Sequence, residues 1–324
     1  MIESRQALGA NELESQYRAV QDYAGWRELD NGVLGVTGRD RAHWLHKLIT
    51  ADVEHLNAGQ GVHGALLDVK GHFVAELVVL VQAESILLLV DPAVQEILLN
   101  TLRRYIFREK VQVNDESRAW ALFTVVGKES DGVLPQRAPE TLCYFTAAEF
   151  DGDAALFIRS LRATVPSTDV LAPASARERL HTAFHLIPNL SAETLDVLRV
   201  EAGQPRWGID FDTTTLAMEI PDVLSVRVDQ GCYVGQEVVA RIVHRGHVNR
   251  HLVGLKVDGN ELPARATPIL HESQVVGTIT SAALSPRLGT IALGYVRREV
   301  SNPGTLLQIG DNRHVQVVTL PLSE

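Results

Sequence analysis

Sulfur is scarce in this chain: Cys143 and Cys232 are the only cysteines in 324 residues. Two thiols exclude a disulfide scaffold and leave no Cys-rich zinc site or iron–sulfur ligand set to be built from this chain. They suit a reducing compartment, so a cytoplasmic location is expected. Long apolar runs are also missing. The longest, Leu77 to Val90, is interrupted by Gln82-Ala83-Glu84-Ser85 and reads as a β-hairpin, not a membrane span. Met1-Ile-Glu-Ser-Arg-Gln-Ala7 lacks the charged-then-apolar pattern of a signal peptide, and none is expected. Positive charge is in deficit, with 30 Lys and Arg against 40 Asp and Glu and a formal charge of −10. Sweeping phosphates requires a basic surface, so no direct nucleic-acid partner is expected. An anionic ligand would need a local group of arginines. No P-loop and no nucleophile elbow occurs. Gly231-Cys-Tyr-Val-Gly235 lacks the strand-then-helix context and third glycine of a dinucleotide turn, so NAD and ATP chemistry are unsupported.

What is present is a soluble globular composition, 45% hydrophobic and 22% charged, over a length that predicts two or three domains. Gly32–Gly38 reads as a strand, followed by a helix capped at Asp40 with Trp44, Leu45, Leu48 and Ile49 on one face. His43 and His46, three apart on it, read as surface or boundary residues. Strands follow at 65–68, 74–80 and 86–90. Asp91-Pro92 opens a helix through Tyr105, and strands at 111–113, 120–126 and 154–158 complete an α+β layer arrangement. Helical zones cover 174–184 and begin again at Ser191, ending at Gly203. From His251 onward, short β runs alternate with turn residues and predict a small all-β barrel or sandwich.

Three groups of residues carry candidate chemistry. Asp229-Gln-Gly-Cys-Tyr-Val-Gly-Gln-Glu237 sets Cys232 between two glycines, where a ligand or partner can approach a thiol; a small buried hydrophobe is the alternative reading. Cys143 lies in an apolar run and reads as core. Arg199-Val-Glu201-Ala-Gly-Gln-Pro-Arg206-Trp-Gly-Ile-Asp210 places a carboxylate and a guanidinium on a tight turn. Either Glu201 and Arg206 meet a ligand, or they form an ion pair that positions the turn. His244, His247 and His251 approach metal spacing, but Arg245 and Arg250 interrupt them. The segment reads better as an edge with Arg241, Arg245 and Arg250 facing an anion, and no metal site is expected.

Gln230-Gly-Cys-Tyr-Val-Gly-Gln-Glu237 resembles the Lys-Gly-Cys-Tyr-x-Gly-Gln-Glu signature of the YgfZ-type folate-binding proteins, relatives of the glycine-cleavage T-protein (aminomethyltransferase). Arg199-Val-Glu-Ala-Gly203, Asp212-Thr-Thr-Thr-Leu216, Leu102–Val111 and Val276–Ser281 are similar to further family segments. The resemblance covers about residues 30–120 and 195–300. It implies an α+β fold: a core of intertwined antiparallel α+β units, one ferredoxin-like, over residues 1–245 with an internal division near 115–120, and a C-terminal β-barrel over 246–324. It implies tetrahydrofolate, or a one-carbon derivative, in a central channel. Glu201 would hold the pterin. Arg206, Arg227, Tyr233, Gln236 and Arg241 would contact the cofactor, and Cys232 and Glu76 would be the chemical residues. Gln230 stands where the family has Lys, so either Arg227 or Arg241 supplies positive charge near the thiol or the thiol is less activated. Ala75 stands where the T-protein pattern has a second acid. The function implied is a folate-binding accessory protein in assembly or repair of iron–sulfur enzymes, including tRNA-modifying ones, with those enzymes or their assembly machinery as partners. The alternatives are a folate-dependent aminomethyl or one-carbon transferase and a folate-independent interaction module.

Overall fold

The computed structural model describes residues 9–220, 226–227, 231–310 and 313–323. The chain begins with helix α1 (Ala10–Asp22) and strand β1 (Gly25–Leu29). It then builds β2 (Gly32–Thr37), α2 (Arg41–His46), β3 (Gly61–Leu67), β4 (Phe73–Val81), β5 (Ser85–Val90), α3 (Pro92–Arg104) and β6 (Gln112–Asp115). Strands β2 to β6 form one antiparallel sheet in the order β3-β4-β5-β2-β6. The hairpin between β4 and β5 turns where the apolar run is interrupted. Helix α3 starts at Asp91, whose carboxylate accepts the N–H of Ala93 at 2.8 Å, with Pro92 needing no donor partner. Asp40 starts α2 differently from the expected cap. Its carboxylate accepts from the N–H of Lys110 at 2.7 Å, tying the helix start to the segment before β6.

The second sheet takes β7 (Trp120–Val126), β8 (Phe145–Phe150), β9 (Asp153–Ser160) and β10 (Ser167–Pro173), and recovers β1 as its edge, in the order β1-β7-β10-β9-β8. Three of its five strands, β1, β8 and β10, go beyond what the sequence pattern suggests. Helices α4 (Arg177–Ala183) and α5 (Ala192–Glu201) follow. Ser191 caps α5 by accepting the N–H of Thr194 at 2.9 Å. The sheets pack face to face through Val33, Leu80, Leu87, Leu89, Leu122, Phe145, Ile158 and Leu171. Outside them, α2 and α3 cover the first sheet and α4 covers the second.

Helix α6 (Gln236–Arg245) precedes a closed barrel of β11 (Arg250–Val257), β12 (Pro268–His271), β13 (Gln274–Ser285), β14 (Gly289–Arg297), β15 (Leu306–Ile309) and β16 (Arg313–Val318). The barrel has its own interior of Leu255, Ile269, Ile279, Ile309 and Val317. Its outer face joins α1, α5 and α6 in a further core containing Tyr17, Leu198, Tyr233, Leu293 and Tyr295. No helix among the described residues is long and apolar enough to cross a membrane.

Candidate functional site

A cavity of about 780 Å³ lies in the seam between the two sheets. β1 contributes Arg27 and Leu29, β3 His63, β4 Glu76 and Val78, and β9 Ile158 and Ser160. Arg162, Asp169 and Cys143 line it from the second sheet and its loops. Leu195, Asp196 and Arg199 of α5 and the turn Gln204–Trp207 line the other side. No local motif marks this site, because its walls come from segments far apart in the chain.

Two carboxylates stand out on the walls. Glu76 Oε1 lies 2.5 Å from His63 Nε2, and both side chains are largely buried. Asp196 Oδ1 accepts from Arg199 Nε at 2.8 Å and Arg206 Nη1 at 3.2 Å. Arg199 is fixed in turn by Asp210 at 2.6 Å and by Ser281 Oγ at 2.7 Å. Asp210 itself is 2% exposed and accepts from Thr280, Ser281 and the N–H of Arg206. One oxygen of Asp196 is therefore committed to a charge network that runs inward to Asp210, and the other carries no hydrogen bond or ion pair among the described residues. Arg162 pairs with Asp169 at 2.6 Å. Arg27 donates to the Leu190 carbonyl at 2.7 Å and makes no ion pair among the described residues. Trp207 adds an aromatic wall and meets Phe211 edge to face at 5.2 Å. Burial, with Asp169 adding to it, pushes the Cys143 thiol up to about 12 and keeps it protonated at neutral pH.

The sequence-predicted residues divide. Glu76 and Arg206 line the cavity; Glu201, Arg227, Cys232, Tyr233, Gln236 and Arg241 do not. Glu201 is fully buried on another face of α5. Tyr17 Oη donates to its two oxygens at 2.9 and 3.1 Å, Ser285 Oγ donates to Oε1, and Arg287 lies 3.8 Å away. Its carboxylate is thus occupied by protein partners. Cys232 is exposed, and Gln230 lies outside the described residues. Tyr233 is buried in the core beside the barrel, so it packs instead of lining a channel; burial pushes its hydroxyl up to about 12. Arg227 is exposed, with its N–H donating to the Thr50 carbonyl at 3.2 Å. Gln236 opens α6, and Arg241 pairs in solvent with Glu237 at 2.8 Å. The expected arginine edge is likewise split: Arg241 and Arg245 sit on α6, while Arg250 grips Glu219 at 2.9 and 3.0 Å and stacks over Tyr295. Among the described residues no group of three or more His, Cys, Asp or Glu could hold a metal ion.

Of the two glycines flanking Cys232, Gly235 has a packing reason. Gly235 has φ +84°, and a Cβ there would sit 2.5 Å from the Asp68 carbonyl oxygen. α6 thereby seats on the turn that leads into β4 and Glu76. Gly231 makes only an ordinary contact with His46, which is buried and not the surface or boundary residue expected, and which approaches Asp52 at 3.2 Å.

Comparison with family profiles matches residues 9–165 to the GCVT N-terminal domain and residues 250–323 to the glycine cleavage T-protein C-terminal barrel domain. The chain belongs to the glycine-cleavage T-protein family. It is 28% identical to an aminomethyltransferase of Rubrobacter xylanophilus, over 89% of this chain and 80% of that one. It is 26% identical to an aminomethyltransferase of Synechocystis, over 92% and 84% respectively. Among solved structures, aminomethyltransferase T from Bartonella henselae has the same fold, with a TM-score of 0.86 over 95% of this chain and 89% of that one at 18% identity.

Proposed function

We propose that this T-protein family member binds tetrahydrofolate, or a one-carbon derivative of it, in the seam cavity and serves folate-dependent one-carbon transfer. The observation that carries the reading is the pairing in one 780 Å³ space of two half-committed carboxylates, Glu76 and Asp196, with Arg27. Folate has a flat ring rich in N–H donors at one end and carboxylates at the other. A half-buried carboxylate with a free oxygen suits the first, a guanidinium the second, and Trp207 a flat ring between them. Asp196, not Glu201, is the acid of α5 that reaches the cavity, and we assign it the ring. When bound, the folate supplies a nitrogen that carries the one-carbon unit. The chain's own contribution is to hold the ring, exclude water and offer Glu76 as the group that takes or gives a proton.

Calorimetric titration with tetrahydrofolate tests this. Micromolar-range binding that weakens by roughly tenfold or more in Asp196→Asn is expected, equal to about 1.4 kcal/mol. No binding by the wild-type chain would sink the folate assignment and leave an interaction module.

A second reading, an accessory role toward iron–sulfur enzymes, is favoured by the exposure of Cys232 away from the cavity. A thiol on the surface suits contact with a partner better than contact with a ligand in the seam. On that reading, Cys232→Ser leaves folate affinity intact and lowers the activity of iron–sulfur enzymes, tRNA-modifying ones included, in cells that depend on this protein. Unchanged enzyme activities in that strain would remove the second reading.

A further inference from the structure

The shortest acid–base contact in the cavity involves a histidine that no motif marks. His63 lies on β3 opposite Val78, and Glu76 on β4 lies opposite Ala65. They are diagonal neighbours on one face of the sheet, and their side chains meet at 2.5 Å with 15% and 25% exposure. We propose that His63 and Glu76 form a proton-sharing dyad that sets the charge of the cavity, so that an anionic heteroaromatic ligand is held more tightly while the imidazole is protonated. The ligand half of this rests on the seam cavity being the folate site.

The described charges nearest the dyad are already paired. Arg162, which lies within electrostatic reach of Glu76, is balanced by Asp169. Arg199 and Arg206 share Asp196, and Arg199 also meets Asp210. The Cys143 thiol, held up to about 12, stays neutral. Among the described lining residues His63 is the one imidazole, the side chain whose charge ordinarily changes between about pH 5 and 8. Protonated, the dyad is neutral overall, with imidazolium against carboxylate. Deprotonated, it carries one negative charge. In the second state a ligand bearing carboxylates meets repulsion, and Glu76 loses the cation that fixes its Oε1. His63 is therefore a positioning residue for Glu76.

Two measurements test the dyad. In the ligand-free protein, the His63 imidazole is titrated by NMR and assigned by its loss in His63→Asn. Its midpoint is expected to be lower by about one pH unit in Glu76→Gln than in the wild type. Equal midpoints in the two proteins overturn the dyad whatever the ligand does. The second is calorimetry with tetrahydrofolate from about pH 5.5 to 8.5. Wild-type affinity is expected to weaken by up to about tenfold per pH unit above the His63 midpoint, with a flat profile in His63→Asn. Wild-type binding with a flat profile overturns the dyad's part in recognition and spares the folate site. Absence of binding at every pH overturns the ligand assignment instead.

Discussion

Glu201 and Asp196 share helix α5 and face different neighbours, which gives them different work. Ala192, Leu195, Asp196 and Arg199 recur at three- and four-residue spacing and face the cavity; Glu201 falls on the other side, among Tyr17, Ser285 and Arg287. That spacing was available in the sequence and could have singled out Asp196. What drew attention to Glu201 was its place in the Arg-x-Glu-Ala-Gly segment, which says nothing about direction. Replacing Glu201 by Gln leaves a buried hydroxyl cluster facing a weaker acceptor. A loss of about 1–3 kcal/mol in urea unfolding is expected, with folate affinity of the folded protein within about twofold. Asp196→Asn is expected to do the reverse, because Arg199 keeps Asp210 as a partner. Should Glu201→Gln abolish folate binding at an unchanged urea midpoint, the two roles must be exchanged. His63 was invisible for another reason: it is a lone polar residue in an apolar strand until the sheets are brought together, while Arg27 sits beside Glu28 in a short strand without clear alternation.

At the level of elements, the strongly patterned ones were legible. The β4–β5 hairpin, α3, α5 and most barrel strands carry alternation, caps or turn residues at their ends. β10 was not legible. Ser167, Thr168 and Asp169 look like loop, yet they are buried in a central strand because Ser160, Arg162 and Asp131 satisfy them. β8 is a half-exposed edge strand with alanines and a glutamate, a composition of low β preference. α6 was hidden by its β-branched residues and by the glycines before it. Those glycines give a prediction. Gly235→Ala forces a left-handed residue and a clash with the Asp68 carbonyl, so a loss of at least about 2 kcal/mol is expected, read as a lower melting temperature. An unchanged melting temperature would mean α6 does not need its seat on the β3–β4 turn.

The loop after α2 gives a pH signature of its own. Burial raises the Asp52 carboxyl, but hydrogen bonds from His55 outweigh it and hold it below its usual range, while His55 is raised by Asp52. The Asp52 contribution is present above the ordinary carboxylate range and lost as pH falls through its depressed value. The His55 contribution is present below the ordinary imidazole range and lost as pH rises through its raised value. The pair therefore supports the loop chiefly between about pH 4 and 6.5. In Asp52→Asn the NMR midpoint of His55 is expected to move down; an unmoved midpoint would dissolve the pair.

Across the whole molecule, the barrel acts on the cavity without lining it. Thr280 and Ser281 of β13 hold Asp210, Asp210 holds Arg199, and Arg199 holds Asp196. Arg250 fastens the same barrel to Glu219 of the core. Removing both hydroxyls with Thr280→Val and Ser281→Ala should loosen the chain at its far end and weaken folate binding by roughly fivefold, about 1 kcal/mol, although neither residue reaches the ligand. Calorimetry on the double variant, at unchanged far-ultraviolet dichroism, checks this. Affinity equal to wild type would confine the barrel to a structural role.

The edge position of β1 has a consequence in time. During synthesis, Gly25–Leu29 emerges long before its partner Trp120–Val126, whereas the sheet of β2 to β6 is complete once Asp115 has been made. A nascent chain halted just beyond that point would hold one finished sheet and, upstream of it, a strand still waiting for its own. Protease should then cut readily within residues 9–29 and spare 32–115; protection of both would mean that β1 finds a temporary partner on the ribosome.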